Sequence, residues 1–267
     1  MELLFRLLAR LPLPVLHNLG ALAGWLVYLF SSSYRRHLRE NIAQAGMPGL
    51  RPAAIAEAGK TILELPCIWL QPEEQSKWGL IVEGREHVDA ALKEGRGIVF
   101  LTPHLGCFEI AAQYCASLGP MTALYRPSRQ AWLDPLIEQG RGAHFKLAPA
   151  NLGGVRKLLK ALKANEAVFV LPDQAPSAGE GVWAPFFGRP AYTMTLAARL
   201  AKSGATVLFM YAERLAYGAG YKLHFLLPSG DIASPADINH EIERLIRCCP
   251  EQYLWGYNRY KGSSAGS

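Results

Sequence analysis

Apolar positions along this chain follow two different rhythms, and the change between them organises the reading. From Leu11 to Phe30 the run LPLPVLHNLGALAGWLVYLF contains no Asp, Glu, Lys or Arg. Residues 34–45 and 52–70 then repeat apolar side chains at helical spacing, with a bend expected at Pro66 in the second segment. A short helix over 84–93 leads into Gly97-Ile98-Val99-Phe100-Leu101, a continuous apolar run of strand composition. From there strands are expected at 97–102, 121–126, 167–172, 205–211 and 221–227. Helical patterns fall between and after them, near 106–118, 131–141, 151–163, 192–202 and 236–248. Alternation of this kind predicts an α/β fold with a largely parallel central sheet flanked by helices, and an antiparallel edge at 221–227.

A chain of 267 residues accommodates one α/β body, here 34–261, after an N-terminal segment 1–33. Residues 262–267, Gly-Ser-Ser-Ala-Gly-Ser, have the composition of a flexible tail. The uncharged N-terminal run has nearly the length that crosses a bilayer, but Pro12, Pro14, His17 and Asn18 weaken its first half. A cleaved signal peptide is the poorest reading, because no small-residue cleavage site follows. A buried core helix competes with a membrane anchor or interfacial helix, and the second is preferred. Trp25 and Tyr28 suit an interface, and Arg35, Arg36 and Arg39 follow, against Arg6 and Arg10 before. That bias would keep the downstream body in the cytoplasm.

Composition narrows the partners. A formal charge of +6 and a pI near 9.1 favour anionic partners such as a membrane surface, a phosphate or an acidic carrier protein. No zinc-finger spacing, RNP-like aromatic motif or Lys/Arg block points to nucleic acid. The cysteines Cys67, Cys107, Cys115, Cys248 and Cys249 have neither metal-cluster nor disulfide spacing, which fits a reducing compartment.

The densest chemistry is Thr102-Pro103-His104-Leu105-Gly106-Cys107-Phe108-Glu109, directly after the first core strand. Residues five apart within one helix lie roughly 140° apart and cannot share a proton. With His104 in the strand-to-helix turn and Glu109 in the first helical turns, the carboxylate is expected to hold one imidazole nitrogen. The other nitrogen is then free to take a proton from a hydroxyl. Three more clusters fall at strand ends: Tyr125-Arg126-Pro127, Pro172-Asp173-Gln174, and Trp183 through Phe186-Phe187-Gly188-Arg189-Pro190. They place a cation, a carboxylate and an apolar wall on one sheet edge, where α/β folds carry their sites. Arg141, Lys146, Arg156 and Arg189 are candidates for phosphate or sugar by residue type. Trp183, Phe186 and Phe187 are the candidates for that apolar wall.

In that order, together with Arg35-Arg36 through Asn41 and Pro250-Glu251-Gln252-Tyr253-Leu254-Trp255, these segments resemble the bacterial lipid A biosynthesis acyltransferases. That family lies within the glycerolipid acyltransferases that carry an H-x4-D/E motif. The resemblance implies His104 and Glu109 as the catalytic pair, with Gly106, Arg126, Asp173, Phe187 and Gly188 around them. It implies acyl transfer from an acyl carrier protein thioester, or coenzyme A, to a hydroxyl of a lipid A precursor. The place would be the cytoplasmic face of the inner membrane, with no cofactor or metal. Many relatives carry Asn-Trp where this chain has Cys107-Phe108, a difference that bears on acyl preference and acceptor. Two rivals remain: the same chemistry on a phospholipid, ornithine-type lipid or glycolipid, and a thioesterase or acyl carrier using Cys107 as nucleophile with His104.

Overall fold

The run Ile98-Val99-Phe100-Leu101 is buried at every position because strands flank it on both sides and helices cover both faces. The computed structural model describes residues 2–71, 78–126 and 132–262. The helices before the first strand are α1 (Glu2–Leu8), α2 (Leu13–Phe30), α3 (Ser32–Gln44) and α4 (Arg51–Leu70). Then come β1 (Gly79–Glu83), α5 (Arg85–Glu94), β2 (Ile98–Leu101), α6 (Phe108–Ser117), β3 (Met121–Tyr125) and α7 (Asp134–Gly142). The middle of the chain holds β4 (Lys146–Pro149), α8 (Leu152–Lys163), β5 (Ala167–Val170), β6 (Gly181–Phe186) and β7 (Arg189–Met194). It ends with α9 (Leu196–Ala201), β8 (Thr206–Arg214), β9 (Gly220–Leu226) and α10 (Pro235–Ile246).

Seven strands form the central sheet in the order β1-β9-β8-β2-β5-β3-β4. All neighbouring pairs are parallel except β8 with β9. The antiparallel strand expected at 221–227 is therefore present, but it is not the edge, because β1 pairs along its far side. Side chains of β2 alternate between two apolar layers: Val99 and Leu101 face α8, α9 and α10, while Ile98 and Phe100 face α5 and α6.

Residues 189–194, whose last part was expected to open a helix near Tyr192, instead form β7. They pair with β6 across the two-residue turn Phe187-Gly188, both with positive φ (46° and 75°). That turn matches strand twist, so a hairpin wins over local helix propensity and the helix starts only at Leu196. Strands β1 and β4, both short and at the sheet edges, were not anticipated.

One face of α2 packs closely on α4. A Cβ on Gly59 would stand 1.9 Å from the Gly20 carbonyl oxygen, and one on Gly24 would stand 2.1 Å from that of Ile55. Such backbone-to-backbone approach requires glycine on both helices. His17 reaches from α2 to Glu64 at 3.2 Å, inside a buried network where Arg214, Tyr221 and Thr61 also meet. The opposite face of α2 presents Leu19, Leu22, Leu26, Leu29 and Phe30 outward. The helix is long and apolar enough to cross a membrane, with 28% of its residues buried.

Candidate active site

Sheet register brings a carboxylate to the histidine. Leu101 of β2 lies opposite Val170 of β5, so three residues past each strand end put His104 beside Asp173. Nδ1 of His104 lies 2.8 Å from Oδ1 of Asp173, and the His104 backbone N–H donates to Oδ2 at 3.2 Å. Asp173 is buried. Burial opposes its ionisation, but the charge and hydrogen bonds of His104, with Arg259 nearby, outweigh it and hold the pKa below the usual value. An ionised Asp173 fixes the proton on Nδ1, so Nε2 carries the lone pair. The side-chain amide nitrogen of Gln174 faces that lone pair at 3.3 Å.

Backbone contacts also hold the turn carrying His104. Gly106 adopts φ +59°, and a Cβ there would stand 1.9 Å from the Ala212 carbonyl oxygen. The Gly106 N–H donates to Gln252 O, the Cys107 N–H to Ala212 O, and the Leu254 N–H to His104 O. The C-terminal segment around Gln252 thus straps the loop to β8. The carbonyls of Gln252 and Ala212 thereby occupy the Gly106 and Cys107 N–H groups just before α6.

Glu109 is placed differently from the expectation. Among the described residues no hydrogen bond joins it to His104; it accepts from the indole N–H of Trp69 at 3.0 Å and from Nε and a terminal nitrogen of Arg141. The physical reason is position. His104 precedes the Gly106 turn and faces β5, whereas Glu109 is in the first turn of α6, where α4 and α7 converge. Gly140 of α7 leaves the room, since a Cβ on it would stand 2.4 Å from that of Trp69. Arg141 is spent on Glu109 and packs over the Trp69 and Tyr125 rings at 5.6 and 5.9 Å. Burial works against its charge, but Glu109 raises its pKa overall.

A cavity of about 460 Å³ opens at this edge, with His104, Glu109, Arg126, Arg141 and Gln174 among its lining residues. That size is in the range of small-molecule and lipid-chain sites. Its apolar wall comes from Phe108, Leu124, Phe145, Phe169, Leu171 and Leu196. The aromatic set expected there lies elsewhere. Phe186 and Phe187 are core residues, Gly188 serves the hairpin turn, and half-exposed Trp183 packs at a tilt against Tyr192. Arg189 sits over the Tyr260 ring, Lys146 pairs with Glu166, and exposed Arg156 lies outside the cavity. Arg126 is exposed and lines the cavity, while Pro127 lies outside the described residues. Gln174, Trp69 and the rim residue Arg199 escaped sequence reasoning. Only Gln174 had a signal, as the neighbour of Asp173.

Cys107 does not pair with His104. Its side chain is buried beneath the turn, and burial together with the charge of Glu64 raises the thiol pKa well above the ordinary value. A protonated thiol walled off from the cavity is a poor nucleophile.

The family model for bacterial lipid A biosynthesis acyltransferases matches residues 2–262. Among curated relatives, the lipid A biosynthesis palmitoleoyltransferase of Escherichia coli (strain K12) is 28% identical over 278 residues, covering 96% of this chain and 88% of the relative. The lipid A biosynthesis lauroyltransferase of the same organism is 26% identical, covering 97% and 90%. Its lipid A biosynthesis myristoyltransferase is 22% identical, covering 91% and 78%. With the fold, the histidine turn and the match agreeing along the whole chain, the protein belongs to the bacterial lipid A biosynthesis acyltransferase family and is an O-acyltransferase.

Proposed function

We propose that this enzyme moves a fatty acyl chain from an acyl carrier protein thioester to a hydroxyl on a lipid A precursor, with His104 as general base and Asp173 as its orienting carboxylate. The observation that carries the assignment is the 2.8 Å contact between His104 Nδ1 and Asp173, at the wall of a largely apolar cavity. An alcohol is a weak nucleophile, so its proton must leave as the new C–O bond forms. The acceptor hydroxyl displaces Gln174 from Nε2 and gives that nitrogen its proton while its oxygen attacks the thioester carbonyl. The tetrahedral intermediate collapses with loss of the C–S bond, and the thiolate leaves with the proton from His104. The Gln174 amide and Arg126, both lining the cavity with His104, serve as donors to the developing oxyanion. No covalent enzyme intermediate is needed, since the thioester is already activated.

Glu109 acts one step back. It holds Arg141 at the cavity wall and accepts from Trp69 behind it, so its charge shapes the site without touching the imidazole. The exposed apolar face of α2 and the basic residues after it support attachment to the cytoplasmic side of the inner membrane. Arg126 and Arg199 at the rim suit the phosphates of the donor arm or the acceptor.

The reading is tested by mass spectrometry of lipid A from cells with and without this protein, alongside purified enzyme given acyl carrier protein thioester and precursor. The expected outcome is loss of one secondary acyl chain in cells and its addition in vitro. Unaltered lipid A together with no transfer in vitro would refute it.

A further inference from the structure

Immediately after α2, a second cleft of about 490 Å³ opens between α3 and the start of α4, and it shares no lining residue with the catalytic cavity. Arg35, Arg36, Arg39 and Arg51 converge on it, with Ser32 and Glu40 at its side. Arg35 is committed: it donates to the Tyr28 and Leu29 carbonyls at 3.1 and 2.8 Å, satisfying the last orphan oxygens of α2. Arg36, Arg39 and Arg51 are exposed and have no hydrogen bond or ion pair among the described residues, Glu40 included. Three exposed guanidinium groups around one concavity present the forked donors that match a phosphate.

The apolar surroundings identify the anion. Leu22, Leu26, Leu29 and Phe30 stand exposed on α2, whose last residue, Phe30, precedes the cleft residue Ser32 by two positions. A soluble acidic protein would satisfy the arginines but leave that stripe in water, whereas an anionic phospholipid satisfies both at once. Nor does α2 leave the body to span the bilayer. Its inner face is packed on α4 through Gly20, Gly24 and Gly59, and spanning would drag Glu57 and Lys60 of α4 into the hydrocarbon.

We propose that the Arg36–Arg39–Arg51 cleft binds the phosphate of an anionic phospholipid head group, seating α2 flat at the boundary between head groups and tails. This rests on the membrane-attachment reading, not on the catalytic one.

The test is co-sedimentation of the full-length protein with vesicles of phosphatidylcholine alone or mixed with phosphatidylglycerol, comparing wild type with the Arg36→Gln/Arg39→Gln/Arg51→Gln variant. At roughly a fivefold gain per surface cation, the triple variant should bind phosphatidylglycerol vesicles on the order of 100-fold more weakly. Its binding to pure phosphatidylcholine should match wild type. Circular dichroism checks its fold, and Arg36→Gln alone, at about fivefold, serves if the triple variant is unstable. Undiminished binding to phosphatidylglycerol vesicles by the variants overturns the cleft while leaving membrane attachment standing. Absence of binding to either vesicle by wild type overturns both. A rise in the KM for acyl carrier protein with unchanged vesicle binding would make the cleft a protein-docking site and also overturn the proposal.

Discussion

His104 and Asp173 stand 69 residues apart in sequence, yet their Nδ1 and Oδ1 atoms lie within 2.8 Å because β2 and β5 end in register. Asp173→Asn keeps the shape and removes the charge that fixes the imidazole tautomer. Turnover is expected to fall by about 10²–10⁴-fold, as for His104→Ala, with the fold intact by circular dichroism. The double variant should be no slower than His104→Ala alone, since both act in one unit. Full activity in Asp173→Asn would remove this carboxylate from the mechanism.

Glu109→Gln should differ in kind. The substitution leaves Arg141 partly buried with a weaker partner, so stability drops by about 1–3 kcal/mol, read by urea denaturation. Turnover should fall less than in Asp173→Asn. An equal or larger loss of kcat, with no change in stability, would instead put Glu109 on the reacting atoms.

Cys107→Ser is expected to retain most activity. In the native protein a thiol-alkylating reagent should label exposed Cys248 and spare buried Cys67, Cys107, Cys115 and Cys249, as peptide mass spectrometry would read. Inactivation that tracks alkylation of Cys107 would revive the nucleophile reading.

Acid stability should be governed in part by Glu64. Burial alone would raise its pKa, but Arg214 and His17 bring it down from 4.5 to about 2. Because the folded-state value is depressed, the contribution is fully present above pH 4.5 and is lost as pH falls toward 2. Glu64→Gln should therefore be destabilised at neutral pH, leaving buried Arg214 with Glu57 as its remaining carboxylate partner, at a cost of about 1–3 kcal/mol. Its stability should also change less than that of wild type across this acid window. Parallel pH–stability curves for the two proteins would contradict the assignment.

Gly59→Val tests the seat of α2. The new side chain meets the α2 backbone where a Cβ alone would come within 1.9 Å of Gly20 O. A loss of about 1–3 kcal/mol is expected, with faster proteolysis within residues 9–31. Unchanged protease resistance and Tm would mean that the helices do not pack as described.

Sequence by itself determined the strand–helix alternation and the run of two-sided burial at β2, because hydrophobic periodicity is local and each element is recognisable within a few residues. It also determined the chemical inventory: a histidine after β2 and a carboxylate after β5 were both visible at strand ends. Their pairing was not, because a carboxylate five residues away looks nearer than one 69 residues away until the parallel register of β2 and β5 is known. The same applies to the apolar wall. Phe186 and Phe187 have groove-like composition, but the turn at Phe187-Gly188 points them into the core, and residues from other segments line the cavity. Only tertiary structure decided which carboxylate faces the imidazole and which arginines stay unpaired, since both depend on distances between segments that no local pattern encodes.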